Sequence, residues 1–239
     1  AGASVSAALD AALQDIANSF VLSGAGVGSA SHSGTVNWNF SIDNALAQYL
    51  DSGQTVTAVY RITVTDDSTY TSASGSNEID VRTQDVTITL TGSNDAPAIT
   101  VQTGNSSTAA LTESNAGLST SGTLTISDLD LTNTVDVAIQ SVVASGITTG
   151  LIPNNSQLLS MLAINPAAPS SVLDNTETTD QLSWSFNSSS EAFNYLATGE
   201  TLTLSYTVRV TDNNNTTDDH TVTVTINGTN DDPIISVGK

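Results

Sequence analysis

The stretch LSWSFNSSSEAFNYLATGETLTLSYTVRVTDN (182–213) repeats VNWNFSIDNALAQYLDSGQTVTAVYRITVTDD (36–67) at an offset of 146, the distance from Trp38 to Trp184. After a longer loop in the first copy the match resumes at an offset of 136, where VTITLTGSNDAP (86–97) faces VTVTINGTNDDP (222–233). The chain therefore holds two copies of one module. Within each copy apolar residues alternate with polar ones, as in Val56, Ala58, Tyr60, Ile62, Val64 and in Leu202, Leu204, Tyr206, Val208, Val210. A period of two filled with β-branched and aromatic residues predicts half-buried antiparallel strands. Trp38 and Trp184 each open a repeated strand with a Phe two residues on, which assigns both indoles to a core rather than to a sugar-stacking surface.

Working outward, short strands punctuated by Gly, Asn and Asp turns, with no sustained helical period, predict an all-β chain of tandem sandwiches. Brief helical turns are expected at SSEAFNYL (189–196) and DNALAQYL (43–50). Leu9, Leu13, Ile16 and Phe20 recur at helical spacing after Ser6, a suitable N-cap, so a short helix is expected there, with a counterpart at SQLLSML (156–162). The modules are read as 1–96 and 97–239, the second ending in the next linker. The second has 86 residues between Pro97 and Trp184, whereas only 37 precede Trp38. The first module is therefore expected to lack its opening strands, because it is shorter, because the boundary of the fragment falls inside it, or because a neighbouring copy of the chain donates them to the exposed edge.

The charge bounds the partners. Four Lys and Arg against 24 Asp and Glu give a net charge of −20. That surface repels nucleic acid and anionic membranes, since phosphate recognition needs clustered cations. Divalent cations are its natural counter-charge. There is no cysteine for disulfides or thiolate sites. No apolar run reaches the roughly 18 residues that span a bilayer, so no membrane insertion is expected, and AGASVSAALDAAL (1–13) lacks the basic region of a signal peptide. His32 and His220 sit in Ser- and Asp-rich surroundings, and no GxSxG, HExxH or P-loop pattern occurs, so no enzyme is expected.

The closing segments TGSNDAPAIT (91–100) and NGTNDDPIIS (227–236), with LTESNAGLSTSGTLTISDLD (111–130) and YLATGETLTLSYTVRVTD (195–212), resemble the VCBS and cadherin-like tandem repeats of giant bacterial surface adhesins of the RTX and biofilm-associated type. The resemblance implies immunoglobulin-like or cadherin-like sandwiches in a secreted protein at the bacterial cell surface. It also implies a calcium-rigidified extender segment serving cell adhesion and biofilm, with adjacent modules as partners. Two alternatives stand beside it. One is a homo-oligomeric filament subunit assembled by strand donation; the other is a glycan- or surface-binding module, for which Tyr70 is the candidate aromatic.

Calcium takes six to eight oxygen ligands, so a site needs several carboxylates, amides and carbonyls at one place. By the resemblance, the ligands are Asn94 and Asp95 of the linker, Asp128 and Asp130 of an Asp-x-Asp loop, and Asp212 at a strand end. A second, half-complete set is Asn230, Asp231 and Asp232 with Glu113, and Asp66 is the first-module equivalent of Asp212. The run DNNNTTDD (212–219) is read as a polar hairpin loop and not an EF-hand, because Thr217 and Thr223 stand where Gly and Glu are required, with Asp218 and Asp219 as optional ligands.

Overall fold

A computed structural model of the chain describes residues 2–24, 34–65, 70–71, 77–78 and 81–231. It divides into two compact units, Ala1–Asn94 and Asp95–Lys239, parting inside the Asn-Asp-Ala-Pro linker.

Unit 2 is a β-sandwich. Its strands are β7 (Ala98–Thr100), β8 (Thr108–Thr112), β9 (Ser119–Ser127), β10 (Thr134–Gly146), β11 (Leu162–Asn165), β12 (Leu173–Asp174), β13 (Thr179–Asn187), β14 (Thr201–Asp212) and β15 (Thr217–Asn227). One sheet runs β12-β10-β14-β15-β8 and the other β11-β13-β9-β7. All ladders are antiparallel except that of β8 with β15, where the opening strand lies parallel to the closing one. The alternation read from the sequence is seen in β14, whose residues Leu202, Leu204, Tyr206, Val208 and Val210 face inward. They meet Leu124 and Ile126 of β9 and Leu182, Trp184 and Phe186 of β13 in one core. Between β10 and β11 a one-turn helix, α2 (Asn155–Leu159), starts on a reciprocal capping box between Asn154 and Gln157 and buries Leu158.

Trp184 shows why one glycine is obligatory. Its indole N–H donates to the Ser106 carbonyl at 2.7 Å. Gly122, paired with Trp184 across β9 and β13, leaves room for the ring; a Cβ there would lie 2.6 Å from Trp184 Cζ2 and 2.7 Å from the Ser106 carbonyl oxygen.

Unit 1 begins with helix α1 (Ala7–Gln14), capped by Ser6 and burying Leu9 and Leu13. It continues with β1 (Phe20–Ser23), β2 (Asn37–Phe40), a single 3-10 turn at Asn44–Leu46, β3 (Thr55–Thr65), β4 (Tyr70–Thr71), β5 (Asn77–Glu78) and β6 (Val81–Thr91). Among the described residues these strands form only two-stranded ladders, β1-β2, β3-β6 and β4-β5. The small core is Leu9, Leu13, Leu50 and Val56.

Three expectations are corrected. The helix stops at Gln14, so Ile16 is exposed and Phe20 lies on a strand. The Ser19 hydroxyl donates to the Asp15 carbonyl and the Asn18 amide to the Asp15 carboxylate, offering the backbone a turn in place of a further helical one. Residues 189–196 form turns rather than a helix, with Phe193 at φ 61°. Trp38 is 46% exposed where Trp184 is 1% exposed, because among the described residues unit 1 has no strand corresponding to β9 to cover it.

The glycine requirement yields a prediction. Gly122→Ala forces the Trp184 ring or the Ser106 backbone to move, and the unfolding free energy of unit 2 should fall by about 1–3 kcal/mol. Thermal or urea unfolding followed by Trp184 fluorescence reads this, and an unchanged midpoint would contradict it.

Candidate metal centre

The inward-facing rows of three strands do not end with the apolar core. Asp212 follows Val210 on β14, Asp128 follows Ile126 beyond β9, and Asn133 precedes Val135 ahead of β10, each by a step of two. The alternation that buries the core therefore also buries these polar groups at one pole of the sandwich. Asp128 is 3% exposed, Asp130 1%, Asn133 1% and Asp212 4%. In the Asp128-Leu129-Asp130 turn the usual polarity is inverted, since both acids are buried while Leu129 between them is 53% exposed.

The carboxylates are held by backbone donors. The Asp95 N–H donates to Asp130 Oδ2 at 2.6 Å, and the Asp130 N–H to Asp128 Oδ1 at 2.9 Å. The Asn133 side-chain amide reaches the same Asp130 oxygen at 3.4 Å. Asp212 accepts from the Thr216 N–H at 2.7 Å and from the Thr216 hydroxyl, which fixes the hairpin that opens the DNNNTTDD run. Asp128 Oδ2 is buried with no hydrogen-bond partner. Burial, opposed by the hydrogen bond from the Asp130 N–H and reinforced by the nearby charges of Asp212 and Asp95, pushes the Asp128 carboxyl above its ordinary range.

This pole brings together four of the residues expected as ligands, namely Asp95, Asp128, Asp130 and Asp212. Asn94 is half-buried at the end of the first unit. Asn133 was missed by the sequence reading, although its step of two before Val135 and Val137 would have marked it. Among the described residues no three His, Cys, Asp or Glu side chains form a ready metal cage, as the carboxylates are turned toward backbone N–H groups. The donor set is nonetheless of one kind. Carboxylate and amide oxygens suit a hard divalent cation such as calcium rather than zinc or copper, and the partnerless Asp128 Oδ2 is an oxygen such an ion would satisfy.

The opposite pole carries the second expected set. Glu113 is 3% exposed; its Oε1 accepts from the Thr229 N–H and hydroxyl, both at 2.8 Å, while Oε2 is buried without a partner. Asn230 and Asp231 follow Thr229 and are exposed. Asp66 and Asp232 lie outside the described residues, as does His32. Of the optional ligands, Asp218 accepts from the Ile99 N–H at 2.8 Å and Asp219 pairs with Arg209 at 2.7 Å, so both serve the fold.

No protein-family model and no curated protein matches the chain. Among solved structures, the chain is similar to the PapD-like domain 7 of human CEP192 at 8% identity and a TM-score of 0.36, over 56% of this chain and 86% of that one. It is similar to the CooA pilin subunit of enterotoxigenic Escherichia coli at 16% identity and a TM-score of 0.36, over 58% of this chain and 100% of that one. It is also similar to zebrafish RET cadherin-like domains 1 to 4 at 14% identity and a TM-score of 0.28, over 89% of this chain and 41% of that one. The architecture given above rests on the strand pairing itself.

A buried carboxyl held above its ordinary range costs stability whenever it is ionised. In chelator that cost is present at neutral pH and is relieved as the pH falls through the raised range. Asp128→Asn removes the charge while its amide oxygen can still accept from the Asp130 N–H. In chelator at neutral pH the variant should unfold a few degrees above the parent, and a large drop in the midpoint would show that the charge is compensated.

Proposed function

We propose that this chain is a calcium-dependent structural segment of a secreted bacterial surface adhesin, of the VCBS and cadherin-like kind, acting as an extender. The observation that carries this reading is the pole of unit 2, where Asp128, Asp130 and Asp212 are buried beside Asp95 with their negative charge opposed by backbone donors. Carboxylates crowded in a low-dielectric site repel one another, and a divalent cation converts that repulsion into cohesion. In this reading Asp128, Asp130, Asp212 and Asn133 hold the ion from three strand ends, and Asp95 ties the linker to the same place. The ion would lock the Asp128–Asn133 loop and the β14-β15 hairpin together, a role that disulfides cannot take in a chain without cysteine. No helix of the described residues is long and apolar enough to cross a membrane, and the reading does not require one. The reading is structural rather than catalytic, with adhesion residing in spacing and rigidity.

If the site binds with the roughly 10⁻⁴–10⁻³ M dissociation constants of extracellular calcium modules, about 10 mM free calcium should stabilise unit 2 by about 1.4–2.7 kcal/mol relative to chelator. Asp212→Asn should lose most of that gain, and Asp128→Asn should reverse its ranking, more stable than the parent in chelator and less stable in calcium. Unfolding monitored by Trp184 fluorescence across a calcium titration checks all three; identical midpoints with and without calcium would remove the ion from this account.

A further inference from the structure

Unit 2 is entered at one pole and left at the other. The chain arrives at Asp95, whose N–H donates to Asp130 Oδ2 at 2.6 Å, and departs through Thr229, whose N–H and hydroxyl both donate to Glu113 Oε1 at 2.8 Å. β8, near the start of the unit, and β15, its last strand, both run from the Asp130 pole to the Glu113 pole, since they pair in parallel. β8 closes its sheet, so among the described residues β15 is its one ladder partner. The strands through which the chain enters and leaves the unit are therefore joined directly to each other.

The join extends past the ladder that pairs Thr108–Thr112 with Thr223–Asn227. Ahead of it the Thr223 N–H donates to the Ser107 carbonyl at 2.8 Å, and beyond it the Glu113 N–H donates to the Asn227 carbonyl at 2.9 Å. The Asn227 side-chain amide adds a bond to the Leu111 carbonyl at 3.0 Å, and the two Thr229 bonds to the buried Glu113 close the end nearest the exit. Ala109 and Leu111 of β8 pack against the core that holds Val224 and Ile226 of β15. Ladder bonds lie across the strands they join. A pull that separates the two poles therefore loads all of these bonds sideways and together, and must slide Leu111 along the core. A pull on both strands from one pole opens the same bonds one at a time from that end.

We propose that unit 2 is a tension-bearing module, with the parallel β8-β15 ladder as its shear clamp and Glu113 as the latch at the exit end. Rupture under force is set by the barrier to unfolding rather than by equilibrium stability, so the number of bonds that must break together decides it. The three-residue β7 and the bond from the Ile99 N–H to Asp218 lie ahead of the clamp on the path from Asp95 and yield first. That tension reaches the unit follows from the extender reading, on which this function rests. The clamp itself stands on strand pairing and is independent of calcium at the Asp128 pole.

The chain has no cysteine, so a pair of introduced ones gives defined attachment points for optical tweezers. The full chain with Ala96→Cys and Asn230→Cys is pulled between the poles, and the full chain with Ala116→Cys and Asn230→Cys is pulled from the Glu113 pole alone; all three positions are exposed. Both are pulled in chelator, so that no ion at the Asp128 pole shares the load. The force that unfolds unit 2 should be severalfold higher in the first geometry. Glu113→Ala should lower that force, and Glu113→Gln, which keeps the accepting oxygen, should restore most of it. Equal forces in the two geometries, or a first-geometry force indifferent to Glu113→Ala, overturn the proposal. A directional force in a chain whose unfolding midpoint ignores calcium supports the clamp and removes only the ion.

Discussion

The inside-outside alternation of a strand governs both the stability and the chemistry of this molecule. On β14 the same geometry that turns Leu202, Leu204, Tyr206, Val208 and Val210 inward also turns Asp212 inward. The strand cannot bury its fifth apolar residue and expose the next one in the row without a bulge or a slip of register, and a slip would move the whole apolar set to the solvent face. The carboxylate is held in place by the core behind it. The same applies to Asp128 beyond Ile126 and to Asn133 ahead of Val135, so the polar pole is an extension of the core rather than a separate device.

Burial in this fold is a property of neighbouring strands and not of a residue's own sequence context. Trp38 and Trp184 sit in matching sequence, pair with matching strands, and are each followed two residues on by a Phe, yet one is 46% exposed and the other 1%. The difference lies in Gly122 and Ser106, more than 60 residues before Trp184, whose strands have no counterpart among the described residues of unit 1. In their place Trp38 stacks on Phe20 with ring centroids 5.5 Å apart, and Phe20 stacks on Tyr60 at 4.3 Å. Among its described residues unit 1 thus keeps a local aromatic stack where unit 2 has an interdigitated core.

This contrast explains what could be read from the sequence. The strands were legible because period two and the internal repeat report local geometry, and the counterpart of α1 was legible because its apolar spacing recurs upstream of the tryptophan strand. The end of α1 was not, since Ile16 and Phe20 keep the helical spacing while the Ser19 hydroxyl takes the Asp15 carbonyl and the Asn18 amide the Asp15 carboxylate. Asp128, Asp130 and Asp212 were singled out through a family resemblance, yet the alternation alone reaches Asp128, Asp212 and Asn133 if it is carried past the last apolar residue. Asp218 has the sequence context of an optional ligand, and no local pattern shows that the Ile99 N–H, 119 residues away, claims it.

The charge distribution bears on what opposes the carboxylates at the pole. Four fixed cations stand against 24 acids, and two of them, Arg61 and Arg209, are engaged with Asp85 and Asp219 on outer sheet faces. Those pairs hold the two aspartates below the ordinary carboxylate range, but solvent screens exposed pairs and leaves them little weight in stability. At the pole the opposing groups are N–H dipoles from Asp95, Asp130 and Thr216, which orient the carboxylates without cancelling their charge. Asp128, raised by burial and by Asp212 and Asp95, carries the resulting strain. Under the calcium reading proposed above, a pole that buries Asp128, Asp130 and Asp212 together and orients them with N–H dipoles would make the stability of the β9, β10 and β14 ends depend on a divalent cation.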